Sequence, residues 1–372
     1  YPHKLWMISM KEIKKNTEVM IAISGGLDSA VAAILLREHG YIVKGITMQL
    51  FDDSNHVQAD SRTTERARSV AQILSIPFEV IDLREEFKKK IVGYFKASHE
   101  LGITPNPCFV CNQQIKWGLL LDEVLKKGVT WLASGHYAQL KGTTDGRVEL
   151  FRAKDLQKDQ SYVLAGLKQE QLTHAVFPLG NITKGRAKEI AHSYNLDFSD
   201  VGESQDLCFL DGMSQEEYLS GLSPDLFQPG EIRTIEGERL GEHNGLANYT
   251  IGQRKGLGSG NKEPIYVLHK DVQSNTLIVG GKQSLGVRKI RVTQLNWISG
   301  YEPELPDNFE IKIRYKSNPH RAHICKPNES GCDIIFENPV RDPTPGQYAV
   351  FYQGEKVIGS GVITEICNGV DE

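Results

Sequence analysis

Val19-Met20-Ile21-Ala22-Ile23-Ser24-Gly25-Gly26-Leu27-Asp28-Ser29 is the stretch on which the fold turns. Its opening residues are an apolar run of strand length, and residues 30–36 beyond it carry the apolar content of a helix. Between them lies a turn of small residues. Strand, small-residue turn and helix together make the layout that cradles a phosphate. Two glycines let the backbone approach closely, and their N–H groups and the helix N-terminus face the anion. Ser24 and Ser29 add hydroxyl donors, and Asp28 can hold a Mg²⁺ that bridges phosphate oxygens. An ordinary strand–turn–helix joint is the plainer reading of the same residues. The longer glycine loop closed by Lys and Ser or Thr does not occur here.

Outward from this stretch, strand-like and helix-like segments alternate. Strands are expected at 42–48, 78–83 and 130–134. Helices are expected at 63–74, 85–101 and 112–127, the last ended by Gly128. Such alternation implies a parallel, doubly wound sheet, with its ligand beyond the carboxyl ends of the strands. The Ser24 loop, Met48 and the Gly135-His136 pair all stand at ends of that kind. Near Met213 the pattern changes to a stretch rich in Gly, Pro and charge that runs to about Gln283. From Val287 short alternating strands follow, separated by turn signals. They read as a small β-barrel of the kind that docks nucleic acid. The expected class is therefore α/β: a doubly wound domain over 17–213, a small central domain over 214–284 and a C-terminal β-barrel over 285–367.

Composition narrows the function. The 372 residues carry 40% hydrophobic and 24% charged residues, as soluble globular proteins do. No apolar run approaches the roughly 18 residues that span a bilayer, so no membrane partner is expected. A net charge of −4 excludes a uniformly basic coat, so any RNA contact must rest on local patches. Six irregularly spaced cysteines do not make a secreted disulfide scaffold and point to a reducing compartment. Residues 1–16 are mixed and mildly basic. A tag remnant and the end of an organellar targeting segment share that composition, so the expected location is cytoplasmic, or an organellar matrix if such a segment was removed.

Cys108 and Cys111 form a Cys-x-x-Cys just before a predicted helix. A helix N-terminus stabilises a thiolate, so a lowered pKa is expected, and Asn106-Pro107 should present the thiols. Half a zinc site and two inert thiols are the plainer readings, although a Cys₄ site would want a second such pair. Cys208 follows the polar stretch 202–206, which reads as a mobile loop. A small buried hydrophobe is its plainer reading. His136 can touch substrate or phosphate, or be a satisfied structural histidine. Arg254-Lys255 in a Gly-rich loop, and the basic and aromatic mixture of Lys312, Arg314, Tyr315 and Lys316, suit RNA. Cys325, Cys332 and Cys367 are given no chemistry.

Ser-Gly-Gly-x-Asp-Ser resembles the pyrophosphate loop (PP-loop) of the ATP-pyrophosphatase superfamily. Further strings narrow the resemblance: Thr104-Pro105-Asn106-Pro107-Cys108-Phe109-Val110-Cys111-Asn112, Ser134-Gly135-His136-Tyr137, Lys158-Asp159-Gln160-Ser161-Tyr162, Asp206-Leu207-Cys208-Phe209 and Gly252-Gln253-Arg254-Lys255-Gly256-Leu257-Gly258. In that order they resemble the tRNA-specific 2-thiouridylases, over nearly the whole chain. The resemblance implies adenylation of the position-2 oxygen of the wobble uridine by ATP, then its replacement by sulfur. It implies a persulfide on Cys208 and Cys111 as nucleophile. It places ATP against Ala22, Ile23, Ser24, Gly25, Gly26, Leu27, Asp28, Ser29, Met48 and Gly135, with Mg²⁺ reaching Asp28 through ATP. The anticodon loop of tRNA, its wobble base flipped out, would meet Asn106, Pro107, Cys108, His136, Lys158, Asp159, Gln160, Arg254, Lys255, Arg314, Tyr315 and Gln347. A persulfide carrier protein or a cysteine desulfurase would supply the sulfur.

One departure stands out. Many members carry Asp where this chain has Cys108, as a proton donor or acceptor. A thiol can replace it only with a pKa near working pH. The alternative is a [4Fe–4S] cluster held by Cys108, Cys111 and Cys208, with one iron open to hydrosulfide. Two competing readings are another ATP pyrophosphatase that makes a small amide, and an RNA-binding or nucleotide-sensing protein with a degenerate loop. The first needs an ammonia source and leaves the paired cysteines idle. The second leaves Asp28, Cys111 and Cys208 unexplained.

Overall fold

A computed structural model describes residues 14–51, 59–198, 207–210, 212–257, 263–304 and 309–367. The expected stretch 202–206 and Gly258 lie outside the described residues.

The apolar runs near the N-terminus form a parallel sheet. Its strands are β1 (Glu18–Ala22), β2 (Ile42–Gln49), β3 (Phe78–Asp82), β4 (Trp131–Ser134) and β7 (Ala175–Val176), in the order β3-β2-β1-β4-β7. The chain winds outward from β1 to β3 and then returns to the other side of β1. The strand order therefore reverses between β1 and β4, and a crevice opens at their carboxyl ends. Ala22 of β1 is level with Ser134 of β4, so the Ser24 loop and Gly135-His136 leave the sheet side by side.

Both faces are covered. Helices Leu27–Glu38, Ala59–Ile73 and Lys184–Ser193 lie on one side, where Val31, Leu35, Val70 and Ile190 meet Ile21 and Ile23. On the other side two long helices, 84–100 and 107–126, each pass through a π-helical section, Lys88–Val92 and Asn112–Leu119. Wide turns of that sort are uncommon and gather at functional sites. Apolar periodicity does not reveal them, and the sequence reading did not foresee them.

The Gly- and Pro-rich stretch folds around a core of its own. It contains a four-stranded sheet of β8 (Gly230–Thr234), β9 (Arg239–His243), β10 (Tyr266–Asp271) and β11 (Thr276–Gly280), around Ile232, Val267, Leu277 and Val279. The C-terminal strands β12 (Gly286–Trp297), β13 (Phe309–Lys312), β14 (His320–Ile324), β15 (Cys332–Arg341), β16 (Tyr348–Gln353) and β17 (Lys356–Cys367) close into an antiparallel barrel through the β12–β17 pairing. The sequence reading missed β14, where His and Arg occupy the outward positions and leave a weak alternation.

A hairpin, β5 (Gln139–Gly142) and β6 (Val148–Phe151), leaves the parallel-sheet domain and adds to the barrel. Lys356 and Val357 of β17 pair with Phe151 and Leu150. Side chains join the two units as well. Asn296 donates to the carbonyls of Ala165 and Leu167 at 3.0 and 3.1 Å, and the Tyr162 hydroxyl donates to the Tyr348 carbonyl at 2.9 Å. One apolar core runs without a break from Met20 and Leu132 through Phe109 and Tyr162 to Tyr348, Tyr352 and Val357. No helix among the described residues is long and apolar enough to cross a membrane.

Candidate active site

The phosphate loop closes on itself. Gly25 holds a φ of +73°, and a Cβ there would press on Arg66 Cβ at 2.7 Å, so only glycine fits. The Ser29 hydroxyl donates to the Gly26 carbonyl at 3.0 Å, accepts from Ser24 N–H at 3.2 Å and lies 3.3 Å from the Ser24 hydroxyl. Gly26 precedes the first helical residue, Leu27, so the free N–H groups of the helix start are gathered at the loop. Ile23 is buried in the sheet, while Ala22, Leu27 and the exposed Ser24 line the turn. Met48, half-buried near the end of β2, is level with Ile81 of β3.

Asp28 does not stand alone. Lys184 Nζ lies 2.7 and 2.8 Å from its two carboxylate oxygens, and the Tyr137 hydroxyl donates to it at 2.8 Å. Lys184 opens the helix Lys184–Ser193, and its side chain is only 14% exposed. Sequence reasoning missed both partners. Tyr137 sat inside a quoted string, but Lys184 lies far along the chain in no recognised string. A magnesium ion is ordinarily held by one or two carboxylates together with substrate phosphates. A single carboxylate beside a phosphate loop fits that requirement.

A Cβ at Gly135 would come within 2.7 Å of the backbone at Asp28 and Ser29, so the first turn of the helix packs closely on this strand end. His136 is buried, with Nδ1 2.7 Å from the Ser134 hydroxyl and its ring edge-on to Phe177. Burial pushes its pKa down, so the imidazole is neutral at pH 7.

The thiols follow from the helix 107–126. Asn106 caps it, its Oδ1 accepting from Phe109 N–H at 3.1 Å, and Pro107 takes the first position. Cys108 is exposed, whereas Cys111, one turn on, is buried. The expectation that both would be presented thus holds for one. Cys208 is also exposed, and it does not float in a loop. It opens a 3₁₀ turn whose next residue, Phe209, packs edge-on against Phe87 and Phe95.

The expected lowering of the thiol pKa is reversed. Burial raises Cys108, raises Cys111 to about 11 and raises Cys208 to about 12. Exposed by surface area, Cys108 and Cys208 nevertheless stand in a recess with protein on most sides, and desolvation of the thiolate outweighs the helix terminus. The thiols also disfavour one another's ionisation, with Cys111 and Cys108 both raising Cys208. Lys116, on the π-helical section Asn112–Leu119, pulls all of them the other way, and it acts on His136 as well. Sequence reasoning missed this cation because only the wider turn brings position 116 back toward position 111. Without substrate the site should therefore hold thiols. Alkylation of Cys208 in a Cys108→Ala/Cys111→Ala protein is expected to keep rising through pH 10. A plateau near pH 8.5, where a free thiol levels off, would contradict this environment.

The proposed RNA contacts divide. Arg254 and Lys255 are exposed. Tyr315 lies at the barrel's edge with Lys312 Nζ 5.8 Å from its ring centre, close enough to Cys108 to feel a thiolate there. Lys158 is half-buried, but its neighbours turn inward. The Asp159 carboxylate accepts from Ala153 N–H, Ser161 N–H and the Ser161 hydroxyl at 3.0, 3.1 and 2.9 Å. Gln160 Oε1 accepts from Tyr137 N–H at 2.9 Å. Arg314 is committed too. Its Nη2 donates to the carbonyls of Ile251 and Asp342 at 2.9 and 2.5 Å, and to the Thr344 hydroxyl. It ties the Gly-rich loop to the barrel instead of facing solvent. Lys255→Ala is expected to lower the salt slope of tRNA binding by about one unit, and Arg314→Ala to weaken binding with the slope unchanged. Equal slope losses in both variants would return Arg314 to the phosphate footprint.

Residues 17–212, 218–281 and 287–363 match, in turn, the families described as tRNA methyl transferase HUP domain, tRNA methyl transferase PRC-barrel domain and Aminomethyltransferase beta-barrel domain. A protein of Magnetococcus marinus named tRNA-specific 2-thiouridylase MnmA is 40% identical over 351 residues, covering 93% of this chain and 98% of its own. The chain belongs to the tRNA-specific 2-thiouridylase family. Members from Chloroflexus aurantiacus and Clostridium perfringens are 39% and 38% identical, covering 93% and 94% of this chain and 98% and 99% of their own. Among solved structures, the U34-tRNA thiolase NcsA of Methanococcus maripaludis with its [4Fe–4S] cluster matches at 17% identity and a TM-score of 0.35, covering 59% of this chain and 68% of its own. A likeness that distant has no bearing on the sulfur chemistry of this 2-thiouridylase. Among the described residues, no three His, Cys, Asp or Glu side chains gather closely enough to hold a metal ion.

Proposed function

We propose that the chain is an ATP-dependent tRNA 2-thiouridylase acting through a persulfide relay. The observation that supports it most is the meeting of Cys208 with Cys111 and Cys108, brought from distant parts of the chain to where their charges interact. In the first step the position-2 oxygen of the wobble uridine attacks the α-phosphorus of ATP, and pyrophosphate leaves. The loop 24–29 and the helix start hold the phosphates, and Lys184 stands ready to exchange Asp28 for a phosphate oxygen. Bound at Asp28, Mg²⁺ would offset phosphate charge.

In the second step the outer sulfur of a Cys208 persulfide attacks the activated carbon, and AMP leaves. The Cys111 thiolate then attacks the Cys208 sulfur. The S–S bond of the persulfide breaks, the sulfur remains on the base, and a Cys111–Cys208 disulfide forms. The two thiols supply the two electrons that take the sulfur from the persulfide to the thiocarbonyl state. An external dithiol resets the pair. Cys108 and the neutral His136 manage protons, and Lys116 offsets the negative charge of whichever sulfur is ionised. A persulfide carrier protein or a cysteine desulfurase loads Cys208, in the cytoplasm or an organellar matrix. The test is ATP cleaved in the presence of tRNA. Labelled α-phosphate should appear in AMP, with pyrophosphate exchange dependent on a wobble uridine; ADP as product would contradict adenylation.

A further inference from the structure

The segment that leads into Cys108 is gripped by the barrel. Gly102 and Ile103 still bond back to the preceding helix, at His99 and Ser98. From Thr104 the partners change. Thr104 N–H donates to the Pro345 carbonyl at 3.1 Å. Gln347 Nε2 donates to the carbonyls of both Thr104 and Pro105 at 2.9 Å. Its Oε1 lies 3.5 Å from Asn106 Nδ2, on the same amide that caps the thiol helix. Phe109 stacks flat on Tyr348, with ring centres 3.5 Å apart and planes 11° apart. Gly346 holds a φ of +90°, and a Cβ there would press on the Thr104 carbonyl at 2.8 Å. The strap 345–348 is itself seated on β17, because Gly346 N–H and Gln347 C=O bond to Ile363 at 2.9 and 2.8 Å.

We propose that Gln347 is a positioning residue for sulfur transfer. Through two carbonyls and the Asn106 amide it sets where Cys108 and Cys111 stand, so the barrel is part of the sulfur-transfer site as well as a platform for RNA. The amide is suited to this. Its N–H groups point at main-chain oxygens of the segment they hold, and its oxygen fixes which way the Asn106 amide turns. With Pro107 setting the next φ, a shift at Pro105 or Asn106 carries the first helical turn with it. The proposal rests on the sulfur-transfer roles given to the two thiols. A tRNA contact alone, as the family resemblance implies, would leave the thiol segment unmoved when Gln347 is changed.

Gln347→Met keeps the length of the side chain and removes its donors; Gln347→His keeps one donor. The first readout uses no tRNA. The iodoacetamide labelling rate of Cys108, followed by mass spectrometry, is expected to change at least about threefold in Gln347→Met and less in Gln347→His. The second is single-turnover thiolation, expected to slow by about 10- to 100-fold in Gln347→Met. Pyrophosphate exchange and tRNA affinity should stay near wild type. Unchanged labelling, with the loss confined to tRNA affinity, overturns the proposal and leaves the thiol roles untouched. Changed labelling with an unchanged thiolation rate also overturns it. If Gln347→Met does not fold, wild type against Gln347→His decides. Changed labelling with normal tRNA affinity and slowed transfer supports the proposal, and normal labelling overturns it.

Discussion

Asp28→Asn is expected to lower pyrophosphate exchange by at least about 100-fold and to abolish thiolation, with tRNA binding largely intact. Asp28 is the one carboxylate of the loop 24–29, and it joins the loop to Lys184 and Tyr137. An amide in its place turns an N–H toward the Lys184 ammonium and leaves that cation without its charge partner. It is also a poor ligand for a phosphate-bridging metal. Lys184→Met should fall in parallel, because the pair would be divided between metal and phosphate when ATP binds. The RNA surfaces named above lie on other segments, so filter binding of tRNA should barely change. Near wild-type exchange in Asp28→Asn would remove the residue from adenylation.

Cys111→Ser and Cys208→Ser should each stop sulfur transfer while pyrophosphate exchange persists, since neither thiol belongs to the phosphate loop. A hydroxyl can neither carry a persulfide nor take up the sulfur's electrons. Cys108→Asp is the informative partner. Cys108 is exposed beside the nucleophile, and in a relay it only moves a proton. A carboxylate there should be tolerated with modest loss. The [4Fe–4S] alternative predicts the opposite. A hard carboxylate is a poor substitute for thiolate on iron, so cluster and activity would vanish together. Anaerobically purified protein with about four irons per chain, all lost with activity in Cys108→Asp, would sink the relay.

Much of this architecture was legible in the chain, for identifiable reasons. The parallel sheet is announced by short strand-like runs alternating with helical ones, and by the glycine at position 25 that only a close turn needs. The barrel is announced by the partial alternation of 286–297 and by the short apolar run 348–352 between turn signals. What was not legible depends on three-dimensional meetings. Lys184 reaches Asp28 from a helix with an ordinary polar composition. Lys116 joins the thiols only because the helix widens there. The sequence reading gave residues 139–151 no element, and the pairing of that hairpin with Lys356 and Val357 could not be read from either segment alone. Thiol electrostatics failed for a related reason. The helix-terminus argument is local, whereas desolvation comes from everything packed around the recess. Arg314 shows the same limit, because nothing in the chain around it tells that its guanidinium donates to the carbonyls of Ile251 and Asp342.

The most direct measurement is nucleoside analysis by mass spectrometry of an unmodified tRNA with a wobble uridine, incubated with the protein, ATP, Mg²⁺ and a persulfide-loaded sulfur carrier. Expected is 2-thiouridine at the wobble position, matched by AMP and pyrophosphate in equal amount, and none when cytidine replaces that uridine. ATP cleavage to AMP with no sulfur on the base, or sulfur incorporated without ATP, would contradict an adenylating thiouridylase.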